Sequence, residues 1–455
     1  MKQEIIDKYN VPVPRYTSYP PANYFKDKTN QKDYIKAIWQ SNSQKPEAIS
    51  FYIHIPFCLK LCHYCGCNSI ACPEPEIIDR YIAALHKEMD IIIPLLNPKR
   101  KISQIHYGGG TPNIIPAYEL ESLNRHLLAP FDTIDNPEIA IECHPGWMEE
   151  NAWMKLTEAG FNRVSIGIQD FNNKVLKAVH REAPLIPIEK AIATLRSGGA
   201  QINMDFLYGL PYQTEASFAE TIEKAVSLQP DRIVTFSYAH LPQIFNRQKM
   251  LEKAGLPSAE EKSRMFEAAR KIFLEADYKQ IGMDHFVTGD DDLYQALAKG
   301  QLHRNFQGYC TRQTTGQVYA FGVSGISQLG TAYAQNTKDI MKYIEKVEAG
   351  VLPTVKYYQL NREKQITREV IEALMCNYHI KWEDLSERLA LPIEEIKQAT
   401  AYDEARLQEF ADDGIIEYDN DQIWITPEGK PFVRNVAASL DKLMLDTNKS
   451  FSKPI

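Results

Sequence analysis

Between residues 48 and 328, short runs rich in β-branched and aromatic side chains alternate with longer amphipathic runs. The strand-like runs fall at 48–55, 102–107, 138–143, 163–168, 202–208 and 232–239, and helical runs such as 78–95, 151–159 and 217–228 lie between them. Repeated strand–helix–strand order requires parallel strands joined by crossover helices. The reading is an α/β fold, a partial or full parallel β/α barrel of about six strands. A doubly wound open sheet is the alternative, but no G-x-G-x-x-G follows the first strand. Alternation within the strands predicts which face looks inward. Ile49, Phe51, Ile53 and Ile55 oppose Ser50, Tyr52 and His54; Val164, Ile166 and Ile168 oppose Ser165, Gly167 and Gln169; Ile202, Met204 and Phe206 oppose Asn203, Asp205 and Leu207. In the last strand, Val234, Phe236 and Tyr238 are expected to face helices, and Thr235, Ser237 and Ala239 the lumen. The lumen so drawn is roomy and polar, unlike the usual barrel interior filled with branched side chains.

The flanks differ. Val11 to Pro21 holds four prolines in eleven residues, which excludes helix and central strand. Residues 1–45 are therefore expected to form an extended arm, residues 46–350 the barrel, and residues 351–455 a mostly helical, winged-helix-like domain. In that last domain, helices are expected at 368–376 and 404–413 and a hairpin at 415–418 and 422–426. Eight acidic residues against one Arg between Ala401 and Asp421 would repel phosphates. A packing or lid role is expected there, not DNA binding. The net charge of −8 likewise argues against a nucleic-acid partner. The longest apolar stretches, such as 91–96, are too short to cross a bilayer, and the start shows no apolar signal core. No membrane insertion and a cytoplasmic location are expected.

Five of the eight cysteines, at 58, 62, 65, 67 and 72, fall within fifteen residues. In a reducing compartment such crowding indicates metal ligation. The run Cys58-x3-Cys62-x2-Cys65-x-Cys67 follows the first strand directly, at the end where barrels build active sites. It lacks the distant second pair of structural zinc sites. It is one residue too long for covalent haem attachment, and it differs from ordinary ferredoxin spacings. Zinc and an electron-transfer cluster are the competing readings. Three thiolates on a four-iron cube would leave one iron open for a ligand.

A C-x3-C-x2-C loop after a first barrel strand resembles the radical S-adenosylmethionine enzymes. The resemblance implies one [4Fe–4S] cluster held by Cys58, Cys62 and Cys65, with S-adenosylmethionine on the open iron. Cys67 stays outside the ligand set, since a fourth thiolate would close that iron. Gly108-Gly-Gly-Thr-Pro112 after the second strand, Glu142 ending the third, Gln169 ending the fourth and Asp205 on the fifth place polar groups at one end of consecutive strands.

Further stretches sharpen the resemblance: Arg15-Tyr-Thr-Ser-Tyr-Pro20, Cys62-His-Tyr-Cys-Gly-Cys67, Gly167-Ile-Gln-Asp-Phe171, Tyr208-Gly-Leu-Pro211, Tyr238-Ala-His-Leu-Pro242, Ile281-Gly-Met-Asp-His-Phe286 and His303-Arg-Asn-Phe-Gln-Gly-Tyr309. Together they resemble the oxygen-independent coproporphyrinogen III oxidase (dehydrogenase) family almost end to end. The resemblance implies oxidative decarboxylation of two propionates of coproporphyrinogen III to vinyl groups, giving protoporphyrinogen IX. Each turnover would consume two S-adenosylmethionine. It implies a second S-adenosylmethionine beside the first, a one-electron donor, a terminal electron acceptor and a monomer. Tyr52, Gly109, Glu142 and Ile326 would serve the first molecule, and Tyr64, Gly110, Thr111, Gln169, Arg181, Asp205 and Ala239 the second. Tyr64 stands where the family often has Phe. Tyr52, His54, Glu142, Phe306 and Gln307 are the implied catalytic residues. Arg15, Lys60 and Arg304 are candidates for the substrate carboxylates, and the arm is expected to close over the chamber. Two rivals come from the same superfamily: a haem chaperone that binds haem without turnover, and a radical haem-degrading methyltransferase.

Overall fold

A computed structural model describes residues 3–27, 31–71 and 73–454. Six parallel strands stand side by side in chain order: β1 (Ile49–Ile55), β2 (Ile102–Gly109), β3 (Thr133–Cys143), β4 (Arg163–Gln169), β5 (Gln201–Tyr208) and β6 (Arg232–Ser237). They match the six expected strand runs. Val318–Phe321 adds a parallel strand on the free side of β1, and His285–Val287 an antiparallel one beside β6. With their neighbours they make an open thirteen-stranded sheet, so the barrel is partial.

The outward faces of the strands build the core. Ile49, Phe51, Ile53 and Ile55 of β1 and Ile202, Met204 and Phe206 of β5 are fully buried under the crossover helices. Each such side chain contributes up to about 1.5–3 kcal/mol by leaving water. Phe51 is the hub of an aromatic cluster, its ring 5.8–6.2 Å from those of Phe131, Tyr319 and Phe321.

The last strand reverses the expected faces. In β6, Val234 pairs with Asp205 and Phe236 with Leu207, whereas Ile233 pairs with Met204 and Thr235 with Phe206. Paired residues share a face, so Val234 and Phe236 look inward and Thr235 and Ser237 outward. Val, Thr and Phe all suit strands, so here residue type does not distinguish the faces. The outer face at this edge is polar where Thr235 and Ser237 line a cavity instead of packing under apolar helix.

Within residues 1–45, expected to be extended, helices form at Gln3–Tyr9 and Gln31–Ser41; the prolines bar a helix only between 12 and 21. The second helix packs on the barrel through Ile38 and a Ser41–Tyr319 hydroxyl contact of 2.6 Å. The stretch around the prolines joins the core of the C-terminal module. That module holds the helices Arg362–Asn377, Trp382–Leu389, Ile393–Ala399, Glu404–Asp412 and Val433–Ser439. It also holds a three-stranded antiparallel sheet, in which His379–Lys381 joins the expected hairpin Ile416–Tyr418 and Gln422–Ile425. Three residues are too few for periodicity to reveal the added strand.

Asp441, fully buried, fastens the arm. It accepts from Tyr16 Oη at 3.0 Å, Tyr19 Oη at 2.9 Å and the Leu443 N–H at 2.9 Å. Arg434 donates to the carbonyls of Pro14 and Val13, and the Tyr9 ring stacks 5.1 Å from Phe410. Asp441→Ala removes the acceptor shared by two buried phenols. The expected cost is roughly 2–3 kcal/mol, with new protease cleavage between residues 10 and 21. A denaturation midpoint and digestion pattern like the parent chain's would contradict this anchoring.

Candidate active site

The cysteine loop is set by the backbone before any side chain acts. β1 leads through Pro56 into Phe57–Cys58, which pairs with Ile70–Ala71 and closes the loop on itself. Gly110 N–H donates to Ile55 O and Thr111 N–H to Phe57 O, both at 2.8 Å, tying the loop to the glycine turn after β2. Cys58 and Cys62 are buried, Cys65 is half-buried and Cys67 is exposed. Cys72 lies outside the described residues, and Cys143, Cys310 and Cys376 are buried elsewhere.

Each of the three thiols has its own donor. Thr111 Oγ1 donates to Cys58 Sγ at 3.4 Å, Arg181 Nη1 to Cys62 Sγ at 3.5 Å, and Cys67 N–H to Cys65 Sγ at 3.4 Å. Hydrogen bonds from Cys67 hold the Cys65 thiol below its usual range, against burial. Burial pushes the Cys58 thiol up, and the charges of Cys65 and Cys62 push it further. The charges of Cys65 and Cys62 both act on Cys58, and a bound cationic centre would offset that repulsion. A Cβ on Gly110 would lie 3.0 Å from Cys58 Sγ and 2.8 Å from Phe57 O, so only glycine leaves that approach open. The donor set fits an iron–sulfur cluster held by Cys58, Cys62 and Cys65.

Beside it, the inward faces of β1 to β3 form one polar chain. The rings of Tyr52 and His106 stack 5.9 Å apart. Tyr52 Oη lies 3.1 Å from His54 Nδ1, and His54 Nε2 lies 3.0 Å from Asn68 O. His106 Nε2 lies 3.1 Å from Glu142 Oε1, and Gly109 N–H donates to Glu142 Oε2 at 3.3 Å. Burial favours the neutral acid at Glu142, but the hydrogen bond and charge of His106, with the Gly109 N–H, hold its carboxyl below the usual range. Burial lowers His54 and so favours its neutral imidazole, against the Asn68 carbonyl and the charge of Glu142. Asn68 O can only accept, so His54 carries its proton on Nε2 and Nδ1 accepts from Tyr52. Gly108 and Gly109 fit under these groups because added Cβ atoms would stand 2.7 Å from Glu142 Oε1 and from His54 respectively, and Gly109 has φ +119°.

A second group lies on β4 and β5. Ser165 Oγ donates to Asp205 Oδ2 at 2.6 Å and Asn203 Nδ2 to Asp205 Oδ1 at 3.0 Å. Burial, reinforced by the charge of Glu142, raises the Asp205 carboxyl to about 6. Arg181 reaches Gly167 O, Tyr64 Oη at 3.2 Å and Cys62. Gln169 stands beside Arg181 with φ +68°. Gln248 Nε2 donates to both Tyr64 O at 3.0 Å and Ala239 O at 3.3 Å. Arg247 donates to Cys65 O at 3.1 Å.

The other expected residues are more scattered. Phe306 and Gln307 form the two-residue tip of the hairpin Leu302–Asn305 and Gly308–Thr311. The Phe306 ring is partly exposed, and Gln307 Nε2 is buried without a protein partner among the described residues. Ile326 packs against Phe25, Tyr333 and Leu360. Lys60 is paired with Glu182 at 2.7 Å. Arg304 is buried over the Tyr309 ring, and Arg15 lies 3.9 Å from Asp284. Asn203 stands on the inward face expected for it, whereas His106, Arg247 and Gln248 were not among the expected residues. Alternation places His106 on the face of β2 that carries the site, so that signal was available; Arg247 and Gln248 lie in the single 3-10 turn Asn246–Gln248, too short for periodicity to mark.

Residues 52–225 match the Radical SAM superfamily, and residues 360–432 match the HemN C-terminal domain. The chain is 36% identical to the oxygen-independent coproporphyrinogen III oxidase of Synechocystis sp., over 99% of this chain and 97% of that protein. It is 37% identical to that of Escherichia coli K12, over 96% and 94%. To that of Helicobacter pylori 26695 it is 33% identical, over 99% of each. Among solved structures, the E. coli coproporphyrinogen III oxidase HemN, described as a radical SAM enzyme, superposes with a TM-score of 0.87 at 35% identity, covering 97% of this chain and 98% of that one.

Gly109→Ala tests the Glu142 cradle. The added methyl group must displace His54 and strain a positive φ, at roughly 1–3 kcal/mol. The reconstituted variant is expected to keep the iron content of the parent while forming 5′-deoxyadenosine at least about tenfold more slowly. Parent-like cleavage would show that this turn does not shape the cofactor site.

Proposed function

The chain belongs to the oxygen-independent coproporphyrinogen III oxidase family of radical S-adenosylmethionine enzymes, and from that premise we propose that it decarboxylates two propionates of coproporphyrinogen III oxidatively, giving protoporphyrinogen IX in anaerobic haem biosynthesis. The observation that carries this reading is the three-thiol loop held against the Gly109–Glu142 cradle at the C-terminal ends of parallel strands. Cys58, Cys62 and Cys65 hold the [4Fe–4S] cluster. When bound, the cluster and S-adenosylmethionine would supply one-electron reductive cleavage of the sulfonium, the source of the hydrogen-abstracting radical.

The chain's own residues bind and orient. Glu142, kept ionised by His106, offers acceptors to an ammonium group, and the bare Gly109 backbone lets a ligand come close. Tyr52, its proton directed to His54 Nδ1, keeps its oxygen lone pairs for a donor. Asp205, Gln169, Arg181, Tyr64, Gly110, Thr111 and Ala239 take the second S-adenosylmethionine, with the aromatic face of Tyr64 suited to adenine. Phe306 and Gln307, at the hairpin tip, take the catalytic part that the family resemblance implies for them. A hydrogen atom leaves the methylene of a propionate, and carbon dioxide and one electron follow. Over two rounds this gives two vinyl groups, two carbon dioxide, two methionine and two 5′-deoxyadenosine. The enzyme acts as a cytoplasmic monomer, served by a one-electron donor and a terminal electron acceptor. The relatives matched over nearly their whole length carry the oxidase name, which favours turnover over haem delivery or haem degradation.

The test is anaerobic. The reconstituted, reduced chain is expected to convert coproporphyrinogen III to protoporphyrinogen IX with about two 5′-deoxyadenosine per product. Tight haem binding without turnover, or an opened and methylated tetrapyrrole, would replace this assignment. In the same assay, Cys58→Ala, Cys62→Ala and Cys65→Ala are each expected to lose the cluster absorbance. Cys67→Ala is expected to keep it; cluster loss there would place Cys67 among the ligands.

A further inference from the structure

A cavity of about 800 Å³ opens between the helix Ala259–Glu275, the outer edge of β6, the arm and the C-terminal module. It is the size of a small-molecule site. Ser258 and Glu261 cap the helix start reciprocally, and Lys262, Phe266 and Arg270 follow at intervals of four on the face that lines the cavity. Tyr208, stacked 5.7 Å from Phe266, and Tyr378 give it flat apolar walls.

The lining carries six cations, Arg15, Lys262, Arg270, Lys430, Arg434 and Lys453, against three acids, Glu267, Asp284 and Glu428. That surplus is not all free to bind. Arg434 donates to the carbonyls of Val13, Pro14, Ser452 and Lys453, and Arg270 is paired with Glu267 at 3.0 Å. Asp284 is engaged by His285 at 2.8 Å. Lys262 and Lys430 are different. Among the described residues, neither has a carboxylate within ion-pair distance. Lys262 Nζ donates to the Tyr238 carbonyl at 3.2 Å, and Lys430 Nζ lies 5.2 Å from the Tyr378 ring centre. Burial and the charge of Arg15 lower Lys262 to about 8. Burial and Arg270 lower Lys430 as well. Half-buried ammonium groups on two different walls of an aromatic-sided cavity suit a flat apolar body bearing several carboxylates.

The cavity also adjoins the cofactor side. Tyr238 and Ala239 line it, and Gln248 clamps Ala239 O to Tyr64 O of the cysteine loop. The segment after β6 is thus a shared wall. We propose that this cavity holds carboxylates of the tetrapyrrole that do not react, with Lys262 and Lys430 as their anchors. The inference rests on the activity assigned above. It explains how one propionate can be presented to the radical while the macrocycle stays bound between two rounds.

The probe is coproporphyrin III, the oxidised and stable tetracarboxylate, compared with its tetramethyl ester in one detergent-containing buffer by fluorescence titration of the full reconstituted chain. The parent chain is expected to prefer acid over ester. Lys262→Gln and Lys430→Gln are each expected to weaken acid binding by roughly tenfold or more, and the double variant to abolish the preference. Lys262→Arg and Lys430→Arg, which keep the charge, are expected to restore it, separating anchoring from misfolding. A double variant with parent-like acid affinity, or a parent chain indifferent to esterification, overturns the site. A parent chain that prefers the acid through both lysines but forms no protoporphyrinogen IX overturns the assigned activity and leaves the carboxylate site standing.

Discussion

Two backbone hydrogen bonds, Gly110 N–H to Ile55 O and Thr111 N–H to Phe57 O, decide where the chemistry sits. They bind the cysteine loop after β1 to the glycine turn after β2, so the sulfurs and the Glu142 cradle share one frame. The Thr111 hydroxyl then reaches Cys58, and the Gly109 N–H reaches Glu142. A side chain at 108, 109 or 110 would break the frame from three directions: against Glu142, against His54 and against Cys58. The glycine run is therefore a steric requirement of the loop above it, beyond any turn it makes.

The two ends of the strands treat charge differently. At the N-terminal end, Glu138 lies between Arg163 at 2.5 Å and Arg232 at 3.7 Å, and Arg232 also holds Asp291 at 2.6 Å. Burial would raise Glu138, yet the two guanidinium groups hold it down at about 2. Those charges are satisfied within the fold. At the C-terminal end, Asp205 has only neutral donors and stays near 6, and Glu142 has a single imidazole. A buried carboxyl raised to about 6 beside a second carboxylate at one end of a barrel, with the acids at the other end held by guanidinium groups, is the pattern expected of a working face.

Much of this was legible from residue order. Alternation predicted the six strands because each has a row of branched or aromatic residues on one face, and the cysteine spacing singled out the loop because few metal sites share it. The inward faces of β1, β4 and β5 followed from polar residues at every second position. β6 failed that rule because Thr235 and Ser237 lie on its outer face, where they line the cavity beside the helix Ala259–Glu275 rather than the lumen. The roles of Gln248 and Arg247 were illegible for a related reason: they act through backbone carbonyls of a loop that only the tertiary fold brings near. His106 was within reach, since it sits two residues beyond Gln104 on the same face of a recognised strand.

The arm and the C-terminal module belong to one structural unit despite lying at opposite ends of the chain. Tyr9, Tyr16 and Tyr19 enter the module's apolar core, and Asp441 and Arg434 fix the backbone between them. This places Arg15 at the cavity wall together with Lys430, while Lys262 approaches from the barrel. The cavity thus exists only where three separately coded segments meet. Its cations lie far apart in sequence and resemble ordinary surface lysines when read singly. The feature Lys262 and Lys430 share, a half-buried ammonium with no carboxylate in ion-pair reach among the described residues, is a property of the assembled fold, and the proposed carboxylate site rests on it.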